Sequence, residues 1–278
     1  MSSTPTPAPL PASPARLRLD TLLPAALLLA GSLVFLGAGG RHPRIGAALG
    51  PVGSDEFFRA FAQEIGHVSN WEGMHALILA GPLLWALGAA GAVRLLPARV
   101  AALGEVARAA LLLGAGAWAL AFILDGFVAP TLARGVVAAG NPAEVHAAIV
   151  PFRTNQLMMA RLGMVSVVLM GAAATAFALA LLATARAASW RAAVGATGLL
   201  VGLWPMLAAA AGEFAPGPFT SPYWMVTALA TGTWFALLAT ALPATALPHT
   251  GTVARDEIAP ARGRPENAPL PAAAGPRA

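Results

Sequence analysis

Polar and apolar residues alternate along this chain in long blocks rather than at helical or strand period. Six apolar runs fall near Thr21–Gly39, Trp71–Leu95, Val106–Pro130, Gln156–Ala185, Ala192–Gly212 and Tyr223–Leu242, with the ionisable residues gathered between them. About 20 apolar residues at 1.5 Å each cross a hydrocarbon core. The pattern therefore predicts an all-α polytopic transmembrane bundle of about six spans. Its expected divisions are a disordered cytoplasmic tail over 1–18, a six-span membrane domain over 19–246 and a second disordered cytoplasmic tail over 247–278.

Composition agrees with the block pattern and narrows the class. Apolar residues make up 58% of the chain and charged residues 10%, with a mean hydropathy of +0.70, which is far from a water-soluble balance. All 17 basic residues are Arg, and they are scattered through loops and tails rather than striped along one face, so the net charge of +5 does not point to nucleic acid. They report topology instead. Arg16, Arg18, Arg94, Arg99, Arg108, Arg186, Arg191, Arg255, Arg262, Arg264 and Arg277 fall on one side of a six-span arrangement. Arg41, Arg44, Arg59, Arg134 and Arg153 fall on the other, so the positive-inside rule predicts both termini in the cytoplasm.

The first run is about 19 residues, longer than the core of a cleaved signal, and Leu36-Gly37-Ala38-Gly39-Gly40 is a poor cleavage site; a retained first span is expected. The last 32 residues are rich in Pro, Ala and Arg without helical period and read as a disordered cytoplasmic tail. Gly198 with Gly202, and Gly163 with Gly171, are small residues spaced for close helix packing. Trp71, Trp190 and Trp224 stand at span ends, where aromatic residues anchor at the interface.

Ionisable and polar groups inside the runs carry the functional signal, because a charge in the bilayer is costly unless it is paired or used. Glu72 and His75 share a face of the second span, Asp125 lies near the end of the third, and the fourth supplies Gln156 and Arg161. Glu213 ends the fifth and Tyr223 begins the sixth. The topology brings all seven to the outward part of the bilayer. Asp125 is nine residues from Arg134 and Arg161 eight from Arg153, about 12–14 Å at helical rise, so an Asp125–Arg161 ion pair is expected, with Glu72 as the competing partner.

Two metal-type patterns compete with that pocket. Glu64-x-x-His67 and Glu72-x-x-His75 have the spacing used by di-iron bundles, but both lie on one segment and no further carboxylate ligands are evident. Haem is disfavoured because His75 is the one His placed within a span. No cofactor is therefore expected from the sequence. With no Cys, the chain has no disulfide, thiolate metal site or thiol nucleophile, and it lacks Walker, dinucleotide, G-x-S-x-G and H-E-x-x-H motifs.

Trp71-x-x-x-His75 opening a span, followed by Gly81 and Gly88 and then Asp125-Gly126 near the end of the next, resembles a group of uncharacterised multi-pass bacterial integral-membrane proteins. The resemblance covers the second and third spans. It implies a bacterial cytoplasmic (inner) membrane location and an all-helical bundle, and carries no chemistry. The lipid bilayer is the expected partner, with a small molecule or a proton as ligand. The leading expectation is small-molecule binding, sensing or transport through an outward-facing polar pocket. The alternatives are a metal-dependent or redox membrane enzyme using His67, His75 and nearby carboxylates, and a structural subunit without a ligand.

Overall fold

The computed structural model describes residues 14–42, 51, 53–212 and 222–242, with side chains from residue 19 and, in the last segment, from residue 226. All of these belong to one compact unit, and none of the described residues forms a strand. Among the described residues eight α-helices follow in order: α1 (Pro14–Gly39), α2 (Asp55–His67), α3 (Trp71–Ala92), α4 (Ala101–Ile123), α5 (Ala129–Ala138), α6 (Pro142–Thr184), α7 (Trp190–Ala210) and α8 (Pro222–Ala241). A five-residue π-helix, Leu124–Val128, joins α4 to α5 without a break.

Five stretches among the described residues are long and apolar enough to cross a membrane: Leu19–Gly39, Trp71–Leu95, Ala98–Ala138, Pro142–Thr184 and Trp190–Ala210. A shorter apolar helix, Val226–Ala241, lies in the sixth expected run. The protein is thus a multi-pass helical membrane protein. Helix α1 starts at Pro14, ahead of the expected boundary at residue 18. The remaining parts of both tails lie outside the described residues.

Neighbouring spans run antiparallel, and small residues set their separation. A Cβ on Gly171 would come within 2.6 Å of the Gly202 carbonyl oxygen, and one on Gly202 equally close to that of Gly171, so α6 and α7 touch through their backbones. Gly81 and Gly88 admit Phe35 and Leu28 of α1 in the same way. Pro82 and Pro205 lie inside α3 and α7, which run on through them.

Helices α4 and α6 depart most from the expected spans. The continuous stretch Ala98–Ala138 has 41 residues and α6 has 43, about 60 Å each at helical rise, or twice a hydrocarbon core. Their surplus length falls at the same end, where residues 139–141 join them. There α5 and the first turns of α6 pack with α2 into a short helical cap.

Amphipathic α2 is held there by both its faces. Ser54 Oγ caps it by accepting from the Phe57 N–H at 3.1 Å, while Phe57, Phe58, Phe61 and Ile65 are buried. Phe58 and Phe61 meet Phe152 of α6 at ring-centroid distances of 6.2 and 5.7 Å. On its outer face Asp55 pairs with His146 at 3.0 Å and Arg153 at 3.5 Å, exposed contacts that add little energy but fix the register of α2 on α6.

Candidate metal centre

The polar centre forms where α1 ends, α3 begins and the π-helix interrupts the third span. Trp71 and His75 are one turn apart on α3 and stack at 4.5 Å. The His75 side chain is fully buried, and its Nδ1–H donates to the Trp71 carbonyl at 2.7 Å. That bond fixes the tautomer, because a carbonyl only accepts. Nε2 of neutral His75 is then a bare lone pair.

Asp125 faces that lone pair because of the π-helix. The wider turn shifts the backbone bonding, as from the Ala129 N–H to the Leu124 carbonyl, and side chains from two other helices also reach its carbonyls. Trp71 Nε1–H donates to the Asp125 carbonyl at 2.7 Å, and Asn155 Nδ2–H of α6 donates to that of Leu124 at 3.0 Å. Gly126 allows α3 to close on the segment, since a Cβ there would lie 2.5 Å from His75 Cβ. Asp125 Oδ2 then stands 3.0 Å from His75 Nε2, and its Oδ1 is buried without a hydrogen-bond partner.

A third candidate ligand comes from just beyond the end of α1. His42 Nε2 is 3.2 Å from His75 Nε2, and its ring meets His75 and Trp71 edge-on, with centroids at 5.0 and 5.6 Å. One ligand atom each from His42, His75 and Asp125 lie within 4.8 Å of one another. This closeness leaves no room for a haem macrocycle between the imidazoles. Phe122 closes another side at 5.6 Å from His75.

No known protein family, curated protein or solved structure matches the chain. The centre must be read from its own atoms.

The arrangement differs from the expected pocket in several respects. Asp125 faces His75 at 3.0 Å rather than pairing with Arg161, which is exposed on α6 in a stripe with Leu157, Met158 and Val165. The physical reason is the π-helix with Gly126, which brings the carboxylate against α3. Glu72 is exposed and does not join the centre, although it shares a turn with His75. Glu64 and His67 are exposed on α2, where His67 Nδ1–H donates to the Gln63 carbonyl, so the two Glu-x-x-His motifs do not converge.

Trp71 is buried and bonded within the centre instead of anchoring at the interface, whereas Trp190 is exposed as expected. Gln156 is fully buried beside Asn155, with neither amide atom hydrogen-bonded. Glu213 and the Tyr223 side chain lie outside the described residues. Sequence reasoning missed His42. Its signal was available: it stands three residues beyond the last residue of the first helix, at the end where the second begins with Trp71 and His75.

Proposed function

We propose that this chain is a six-span protein of the bacterial cytoplasmic membrane that binds a divalent transition-metal ion through His42, His75 and Asp125. The observation that carries this reading is the convergence of one ligand atom each from His42, His75 and Asp125 within 4.8 Å of one another, with His75 and Asp125 buried. With Nδ1–H donated to the Trp71 carbonyl, Nε2 of a neutral His75 presents a lone pair toward the Asp125 carboxyl group 3.0 Å away. A divalent ion held by Nε2, Oδ2 and His42 Nε2 satisfies all three groups at once inside the site.

A metal ion fits the geometry and the ligand types. Bonds of 2.0–2.1 Å in a tetrahedron place ligand atoms about 3.3 Å apart, close to the 3.2 and 3.0 Å separations here. Two imidazoles and one carboxylate, in a chain without thiolates, suit zinc, iron(II) or copper(II) better than calcium or magnesium. The Trp71 carbonyl behind His75 is the outer-shell partner that orients ligating imidazoles. Of the residues that carry the resemblance to bacterial multi-pass proteins, Trp71, His75, Asp125 and Gly126 belong to the centre, while Gly81 and Gly88 pack against α1.

A second reading, a proton held between His75 and Asp125, is favoured by the 3.0 Å separation. It leaves Oδ1 buried and without a partner. Arginine counts support cytoplasmic termini and hence an outward-facing centre, open to ions from outside for binding, sensing or transport.

Elemental analysis of the full chain purified in detergent tests the reading. Wild type should hold about one divalent ion per chain; His75→Gln and Asp125→Asn should lose it, while Glu72→Gln and His67→Ala should retain it. A metal-free wild type, or a His75→Gln variant with full occupancy, would overturn it.

A further inference from the structure

We infer that the ion keeps one coordination position open to water or a small inorganic anion, with Asp125 Oδ1 accepting the hydrogen of the bound water. This rests on the metal reading above and specifies the class of exchangeable ligand. Structural sites for borderline ions are closed by four protein ligands, whereas sites that bind an external species hold three and leave one position free. Among the described residues three side chains converge, and no fourth His, Asp or Glu joins them.

The second observation is independent of that count. Asp125 Oδ1 is buried, without a hydrogen-bond partner, and belongs to the carboxylate whose other oxygen faces His75. A dry, unpaired carboxylate oxygen is costly. Water bound to the ion lies within reach of that oxygen and supplies the missing donor. Metal-bound water is polarised toward hydroxide, so an ionised acceptor beside it strengthens both contacts.

The walls of the centre favour a small ligand. Trp71 stacks on one face of His75, Phe122 leans on the ring from another helix, and Gly126 closes against its Cβ. These contacts leave an anion of a few atoms as the class that fits, rather than a bulky organic acid.

Cobalt(II) tests this, because its visible absorption reports coordination number and azide is a small anionic probe. The full-length protein in detergent is loaded with cobalt and titrated with azide. The expected result is a saturable change in the visible band at constant cobalt content, retained in a His67→Ala, His146→Ala double variant that removes two exposed imidazoles. Stoichiometric cobalt with a band indifferent to azide overturns the open position and leaves the metal reading standing, as when Asp125 binds through both oxygens. Failure to bind cobalt or zinc overturns the metal reading itself, and the open position with it.

Discussion

At the residue scale, burial without a partner is the most informative property here. A fully buried amide with neither atom bonded costs about 1–3 kcal/mol for each missing partner. Gln156 is such a residue, and methionine matches its length without the polar atoms. Gln156→Met should raise the melting temperature in detergent by several degrees; a fall would show that the amide serves a bound molecule. His75 and Asp125 were legible in the sequence because a lone imidazole and carboxylate in apolar runs are conspicuous. Their pairing was not. Residue counting gave Asp125 and Arg161 similar depths, but depth does not fix the direction of a side chain around the helix. Arg161 points outward among Leu157 and Met158, while Asp125 turns inward. His42 was overlooked because it follows the apolar run instead of interrupting it.

At the element scale, the π-helix makes the centre possible, and no simple sequence pattern announces it. The third apolar run continues through Leu124–Val128 without a Pro, and Pro130 comes only after the distortion. Two substitutions that leave every ligand in place test its role. Gly126→Ala puts a methyl group 2.5 Å from His75 Cβ, which cannot yield without backbone movement. It should destabilise the protein by about 1–3 kcal/mol and empty the centre of metal, read by thermal unfolding and elemental analysis. Trp71→Phe keeps an aromatic ring on His75 but removes the donor to the Asp125 carbonyl. The expected effect is a 10–100-fold weaker metal affinity in a chelator competition, the usual cost of losing outer-shell support. Unchanged affinity would show that the carbonyl needs no such donor. The spans themselves were legible, but the ends of the third and fourth were not, since an apolar window registers lipid-facing length and the helices continue into the cap.

At the scale of the whole molecule, helix length places the centre relative to the bilayer. Asp125 lies seventeen residues beyond Arg108 and His75 nineteen before Arg94, about 26 and 28 Å at helical rise, close to one hydrocarbon thickness. The centre therefore sits near the membrane boundary opposite the arginine-rich loops, beneath the cap of α2, α5 and the start of α6. That position fits an ion taken from the aqueous side of the cap, since an ion deep in the hydrocarbon would have to be dehydrated far from water. We propose from the arginine counts that the α3–α4 loop is cytoplasmic and the cap outward. The cysteine-free chain allows a direct measurement, because any introduced thiol is the only one. Glu64 is exposed on the cap and Glu105 is exposed near the opposite loop. A membrane-impermeant maleimide should label Glu64→Cys in intact cells and Glu105→Cys only after permeabilisation. The reverse pattern would turn the protein over and make the centre a reader of cytoplasmic metal, with its internal geometry unchanged.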